Sequence, residues 1–180
     1  MAEEPRTYEY DVRNYLGEGQ FFNTSPLPGY HDGRHPLAQI HFWERVCGER
    51  RLARLVLDVA EVLAAEVSQC RRLVFIRLQC SQGRHRSVAG ALALAKIFVL
   101  IFGIFTQVYM YDDSNWGGRH TTRLCGNPGC DLCARGALWF PPRDQLHYLR
   151  RYFADLLARR VAVSDVAEGA VWATLLAAVE

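Results

Sequence analysis

Blocks of apolar and polar residues along the chain predict alternating helices and strands. Residues 51–67 carry apolar side chains at the spacing of one helix face. Residues 73–80 form a largely apolar run of strand length, which is typical of a central strand covered on both faces. A second helix is predicted from residue 87 to 100, and residues 103–111, rich in β-branched and aromatic side chains, predict the next strand. Strand, turn, helix and strand in this order predict a βαβ unit with parallel strands and a right-handed crossover.

Weaker patterns flank this unit. The remaining predicted elements are a first strand at 8–15, a short helix at 37–46, and two C-terminal helices at 143–160 and 165–179. Two long polar segments, 17–36 and 112–142, separate them, and loops of that length in a compact domain are usually functional or disordered.

The chain length fits one domain. With 180 residues and 20.5 kDa, we predict a single α/β domain with a mostly parallel sheet, helices on both faces, and a Cys/His-rich insert followed by C-terminal helices. The expected parts are a phosphate-binding α/β domain at 6–112, the insert at 113–142, and helices at 143–180 that pack on the same core.

Composition excludes a disordered or low-complexity chain, because 50% of the residues are hydrophobic and 12% are aromatic. The net charge of +2 is too small to indicate nucleic-acid binding from bulk electrostatics. Lys96 is the only lysine, and the other basic residues are arginines, whose planar guanidinium groups suit phosphate.

Six cysteines are too few for a disulfide scaffold, and residues 1–6 lack the features of a secretory signal. We therefore expect a soluble, cytoplasmic protein with reduced thiols and no membrane partner. Residues 88–105, whose only charge is Lys96, leave a membrane-associated protein as an alternative. A buried helix is favoured because strand-like segments and a phosphate-loop pattern adjoin this stretch.

The segment from Cys80 to Ser87, with the sequence CSQGRHRS, carries the clearest candidate chemistry. It follows an apolar strand and opens a helix, which is where α/β folds bind ligands. Unpaired N–H groups in the first turn of a helix stabilise an anion. Gly83 permits the backbone turn, Arg86 can bind an anion through two hydrogen bonds, and Ser87 suits the N-cap. These features predict an anion site.

The spacing Cys-x5-Arg-Ser is also that of cysteine-dependent phosphatases. Cys80, beside His85, Arg86 and a helix N-terminus, would then have a lowered pKa and act as the nucleophile. In that hypothesis Arg86 holds the phosphoryl oxygens, and the general acid is Asp11, Asp112 or Asp113. An inert buried thiol remains the alternative for Cys80. A binding module is favoured over an enzyme, because Arg84 and His85 occupy positions where phosphatase loops tend to use small residues.

The run from Cys80 to Val88 resembles the Cys-Thr-Gly-Gly-x-His-Arg-Ser-Val loop in the C-terminal domain of the RapZ family of RNase adaptor proteins. The segment from Asp11 to Arg13 is similar to that domain's Asp-Val-Arg, and residues 34–37 are a weaker match to its Arg-Pro element. The resemblance spans residues 8–112. It implies a domain that binds a phosphosugar, glucosamine-6-phosphate in the bacterial members, and contacts RNA.

The resemblance assigns the sugar to Asp11 and the phosphate to residues of the loop. The predicted ligand-binding residues are Asp11, Arg13, Ser81, Gln82, Gly83, Arg84, His85, Arg86 and Ser87. Gln82 replaces a glycine of the family, and the sequence has no Gly-x4-Gly-Lys-Ser/Thr nucleotide-binding loop. We therefore expect the ligand site rather than the adaptor role, with RNA, protein and self-association as open partners.

The insert contains a candidate zinc knuckle with the spacing H-x4-C-x4-C-x2-C. Its four potential ligands are His120, Cys125, Cys130 and Cys133. Such residues can hold a tetrahedral structural zinc, although no cofactor is required for folding at this chain length. Unpaired thiols in a mobile loop and a redox pair of Cys130 with Cys133 remain alternatives.

Other polar residues permit two interpretations each. The group His31, Asp32, His35 and His41 either lines the ligand pocket or is solvated, and Arg50, Arg51, Arg54, Arg71 and Arg72 form either an RNA-binding patch or a solvated helix face. Phe42 and Trp43 are predicted to anchor the core.

Overall fold

The computed structural model describes residues 5–16, 33–36, 39–40, 42–43, 50–80, 86–109, 140–164 and 166–179. This part of the chain is a mixed α/β structure, mostly helical, with two strands and five helices. The elements are β1 (Arg6–Asp11), α1 (Arg13–Leu16), α2 (Arg50–Ser68), β2 (Val74–Gln79), α3 (Arg86–Leu100), α4 (Arg143–Val163) and α5 (Val166–Val179).

The two strands pair in parallel, with Arg6 opposite Val74 and Asp11 opposite Gln79. One further bond, from the N–H of Val12 to the carbonyl oxygen of Gln79 at 2.9 Å, continues the ladder beyond β1. The first strand is shorter than the predicted 8–15, because the chain turns at Val12 and enters α1. In chain order α2 connects the two parallel strands, so the carboxyl ends of β1 and β2 meet at one edge.

Within the described residues, helices cover one face of this sheet. Tyr10 and Leu78 lie opposite each other on the covered face, where Tyr10 reaches α2 and Leu78 approaches α3. The other face carries the ion pair of Glu9 with Arg77, and Phe75 there is 43% exposed. The predicted helices on both faces are therefore not found in this part, and the prediction of a strand covered on both faces is wrong. Alternating exposure along β2 explains why: every second side chain faces solvent.

Helix α2 confirms the amphipathic pattern predicted for 51–67. Its apolar stripe is buried, including Leu55 and Val56 at 0% exposure, whereas Arg54 on the opposite side is 79% exposed. The spacing of apolar residues along the helix therefore sets which side faces the core.

Helix α3 confirms the prediction of a buried helix at 87–100. It is buried along most of its length, and Val99 is its exposed large hydrophobic residue. The helix is followed by Gly103, which adopts a positive φ of 66°. Across this turn, the N–H of Ile104 donates to the carbonyl oxygen of Phe98 at 2.9 Å. Among the described residues no helix has the length and apolarity needed to cross a membrane.

The strand predicted at 103–111 is not formed over 103–109, the part of it that the structure describes. Exposure alternates along the segment, and Phe105 and Tyr109 are 84% and 73% exposed. Val108 packs against Val88 and Leu92 of α3 instead of pairing with a strand. The predicted βαβ unit is therefore wrong in its strand pair: the parallel partner of β2 is β1.

The C-terminal helices complete the core. Helices α4 and α5 confirm the predictions at 143–160 and 165–179, and their side chains join one cluster with α2 and α3. Phe42 and Trp43 lie in the same cluster at 0% exposure, which confirms them as core anchors. The described residues of the predicted helix 37–46 are helical at 39–40 and 42–43.

Candidate functional site

Polar side chains gather where β1 and β2 end. Asp11 is the last residue of β1, and Cys80 directly follows its partner strand. Arg86 begins α3, the helix that follows β2 in the chain. Parallel pairing therefore brings the predicted site residues at both strand ends to one edge of the sheet.

Arg13 holds the carboxylate of Asp11. The Arg13 Nε donates to both carboxylate oxygens, at 2.9 and 2.8 Å, and its Nη2 forms a second contact to Oδ2. The backbone N–H of Arg13 also donates to Oδ1 at 2.9 Å. This bidentate ion pair orients both side chains where the chain passes from β1 into α1.

Positively charged side chains keep the carboxyl group of Asp11 ionised. The hydrogen bond from the Arg13 side chain holds the pKa of Asp11 below its usual value, and the positive charge of Arg86 lowers this pKa further. Arg86 precedes Ser87, whose hydroxyl lies beside the Cys80 thiol at the same sheet edge. A carboxyl group with a lowered pKa is ionised at neutral pH, which counts against Asp11 as a general acid.

Cys80 and Ser87 bracket the predicted loop. The Cys80 Sγ lies 3.4 Å from the Ser87 Oγ, a distance at which either group can be the donor. Ser87 is buried at 5% exposure, and Cys80 is half-buried and forms no disulfide. This contact joins the end of the strand to the first turn of the helix.

Other predicted site residues lie outside the described part of the chain. These are Ser81, Gln82, Gly83, Arg84 and His85 of the loop, and Asp112 and Asp113. The four predicted zinc ligands, His120, Cys125, Cys130 and Cys133, also lie outside it. Within the described ranges, no three His, Cys, Asp or Glu side chains come together as a metal site would require.

The sequence analysis missed a buried ionic cluster around Glu66. Glu66 is 1% exposed and accepts a hydrogen bond from the Tyr8 hydroxyl at 2.6 Å. Arg71 lies 2.9 Å from its other oxygen, and Arg6 lies 3.4 Å from the first. Arg71 therefore belongs to this cluster rather than to a solvated helix face. A signal was present, because Glu66 continues the apolar stripe of α2 at the spacing of Val59 and Leu63.

A second buried polar contact joins the first long loop to α3. Gln39, at 0% exposure, donates to the carbonyl oxygen of Gly33 at 2.6 Å and lies 3.5 Å from the Lys96 Nζ. Burial lowers the pKa of Lys96 to about 8. His35 is also buried nearby in the chain, at 7% exposure, whereas His31, Asp32 and His41 lie outside the described residues.

A comparison of the chain with protein-family models, with curated proteins and with solved structures found no match. The functional argument therefore depends on the geometry of the strand ends and on the loop sequence.

Proposed function

We propose that this protein is a binding module that holds a phosphorylated small molecule, of phosphosugar type, at the carboxyl ends of β1 and β2. The observation that carries the proposal is the parallel pairing of β1 with β2, which brings Asp11, held by Arg13, to the same sheet edge as Cys80 and the start of α3. Two guanidinium groups and the first turn of α3 thus gather at the sheet edge where parallel strands present ligand sites.

Each group has a role that its chemistry suits. The amide groups that open α3 and the Arg86 guanidinium bind the phosphate oxygens. The ionised Asp11 accepts hydrogen bonds from sugar hydroxyls. The loop's resemblance to the RapZ C-terminal domain supports a phosphosugar such as glucosamine-6-phosphate as the ligand class, and RNA contacts beside the site belong to the same proposal.

Replacement of Arg86 by alanine tests this function. We expect Arg86→Ala to weaken binding of glucosamine-6-phosphate or sulfate by at least about tenfold, because a hydrogen-bonded ion contributes on the order of 1.5–3 kcal/mol. Titration calorimetry on the full chain measures the affinity. Arg72→Ala is the matched control, since Arg72 is exposed near the opposite end of β2. Unchanged affinity in Arg86→Ala contradicts the proposal.

A cysteine phosphatase is the second candidate, and the contact of Cys80 with Ser87 at 3.4 Å favours it. The Cys80 thiolate would attack phosphorus and form a thiophosphate, while the leaving oxygen takes a proton from an acid. Water would then hydrolyse the thiophosphate and release phosphate. The lowered pKa of Asp11 leaves Asp112 and Asp113 as candidates for that acid.

Hydrolysis of p-nitrophenyl phosphate decides between the two functions. A phosphatase would lose hydrolysis in Cys80→Ser and retain it in Cys70→Ser, because Cys70 is exposed in the turn after α2. Hydrolysis that survives Cys80→Ser eliminates the mechanism.

We also propose a structural zinc held by His120, Cys125, Cys130 and Cys133. Their spacing supports a tetrahedral site with soft ligands. Elemental analysis of the purified protein should then find one zinc per chain, and chelation should lower the melting temperature. Protein without zinc whose melting temperature is unaffected by chelation contradicts this site.

A further inference from the structure

An open cavity of about 720 Å³ is lined by residues of α2 and α4. Both helices contribute residues one turn apart: Arg54 and Leu57 from α2, and Leu156 and Arg160 from α4. Its volume falls within the range of small-molecule sites, about 300–1,000 Å³.

Positive charge dominates the polar lining. Arg54, Arg159 and Arg160 line the cavity, and among the described residues Asp58 is its single acidic one. The carboxylate of Asp58 already accepts a hydrogen bond from the Tyr15 hydroxyl at 2.8 Å, and the Arg54 Nε lies 3.9 Å from it. The described lining residues thus include three arginines and one aspartate, which is an excess of positive charge.

The charges of the α4 arginines are not neutralised within the described part of the chain. Arg159 and Arg160 have no carboxylate within ion-pair distance among the described residues. The Arg160 guanidinium lies 5.7 Å from the centre of the Trp172 ring, a cation–π distance that restrains it at the cavity edge. Each guanidinium group could donate two parallel hydrogen bonds to two oxygens of an anion bound there.

The remaining lining is apolar. Leu57 and Leu156 are half-buried on facing helices, and the Tyr152 ring stands beside them. Tyr152 stacks on Tyr148 with centroids 6.2 Å apart and nearly parallel planes, which holds its ring in place. The cavity therefore combines a basic edge with apolar walls.

We propose that this cavity binds a small amphipathic anion, with its charged head on Arg159 and Arg160 and its apolar chain between Leu57 and Leu156. The charge excess selects an anionic head, and the apolar walls select an acyl or aryl body over a fully polar anion such as sulfate. None of the described lining residues is one of the residues proposed to bind the phosphosugar.

The first experiment compares four probes by titration calorimetry on the full chain: decanoate, decyl phosphate, decanol and acetate. The proposal requires both parts of the ligand, so decanoate or decyl phosphate should bind at least about tenfold more tightly than decanol or acetate. The affinities of decanoate and decyl phosphate, when compared, show whether the cavity prefers a carboxylate or a phosphate head group. Equal affinity for decanol and the two charged chains, or no binding of either charged chain, overturns the proposal.

A matched pair of variants locates the site. Arg159→Gln should weaken binding of the better charged chain by about tenfold, because it removes one guanidinium from the cavity edge. Arg151→Gln removes an exposed arginine of the same helix that does not line the cavity, and should change the affinity by less than about twofold. Both arginines are exposed, so both variants are expected to fold, and far-UV circular dichroism checks this. Equal effects of the two substitutions contradict the proposal.

Discussion

Individual charged residues in the interior are stabilised by close partners. Glu66, at 1% exposure, contacts the Tyr8 hydroxyl at 2.6 Å and Arg71 at 2.9 Å. On the outer sheet face, Glu9 and Arg77 make an ion pair at 3.0 Å, but both side chains are about half exposed. The two pairs have similar distances and different solvation, and solvation decides how much each contributes to stability.

Glu66→Ala should therefore lower the free energy of unfolding by about 3–5 kcal/mol, because Arg71 loses a buried counter-charge and the Tyr8 hydroxyl loses its acceptor. Glu9→Ala, the control, should cost less than about 1 kcal/mol, since water solvates Arg77 when its partner is removed. Urea unfolding measures both. Similar losses in the two variants contradict this explanation.

Lys96 gives the protein a specific pH dependence. Burial lowers its pKa from 10.5 to about 8, so between these pH values the unfolded chain binds more protons than the folded chain. The contribution of Lys96 to stability therefore rises with pH across this window and is least favourable below pH 8.

Lys96→Met should raise the melting temperature below pH 8, and this gain should shrink as the pH rises from 8 to 10.5. Partial solvation of the amine keeps the gain well below what the full pKa change would give, and we expect about 2–4 °C, the effect of roughly 1 kcal/mol at this size. Calorimetric melting of both proteins across this pH range measures the difference. A difference independent of pH contradicts the assignment.

At the scale of the element, two glycines in and after α3 have different structural roles. Gly90 lies inside the helix, where an added Cβ would sit 3.6 Å from Leu78 Cδ1 and 3.8 Å from the Phe42 ring, both ordinary contacts. Gly103 follows the helix at a φ of +66°, with no atom within 4 Å of an added Cβ. The first glycine is replaceable without a clash, whereas the second is required by its backbone conformation.

Gly90→Ala should stabilise the protein by about 0.5–1 kcal/mol, because alanine loses less conformational freedom in a helix. Gly103→Ala should destabilise it by about 1–2 kcal/mol, because a Cβ disfavours the left-handed conformation. Urea midpoints should therefore shift in opposite directions. Shifts of the same sign contradict this account.

The sequence predicts the helices more accurately than the strands, and the reason is physical. Helix α2 extends one residue beyond the predicted 51–67 at each end, because the apolar repeat that defines it is local. Residues 103–109 have the side chains of a strand, but a strand also requires a distant partner, and the segment packs on α3 instead. Arg77 and Gln79 alternate with apolar residues in β2, a pattern that indicated one exposed face.

At the scale of the molecule, the one-sided sheet sets the position of the candidate site. Helices α2 and α3 cover one sheet face, α4 and α5 complete the core behind them, and the strand ends remain at an edge. The order of strand, glycine, arginine and helix predicts the candidate site from local sequence. The placement of Asp11 at the same sheet edge as Cys80 depends on the pairing of β1 with β2, a long-range contact that the periodicity of the sequence does not specify.

The central claim is that Arg86 and the opening turn of α3 bind an anion beside Asp11 and Arg13. The most direct measurement is a crystal structure of the full chain grown with selenate, whose anomalous signal locates the anion without prior assumptions. We expect selenate within hydrogen-bond distance of the Arg86 guanidinium and of the amides that open α3. A selenate-free strand edge in crystals where Arg86 points away from Asp11 would contradict it.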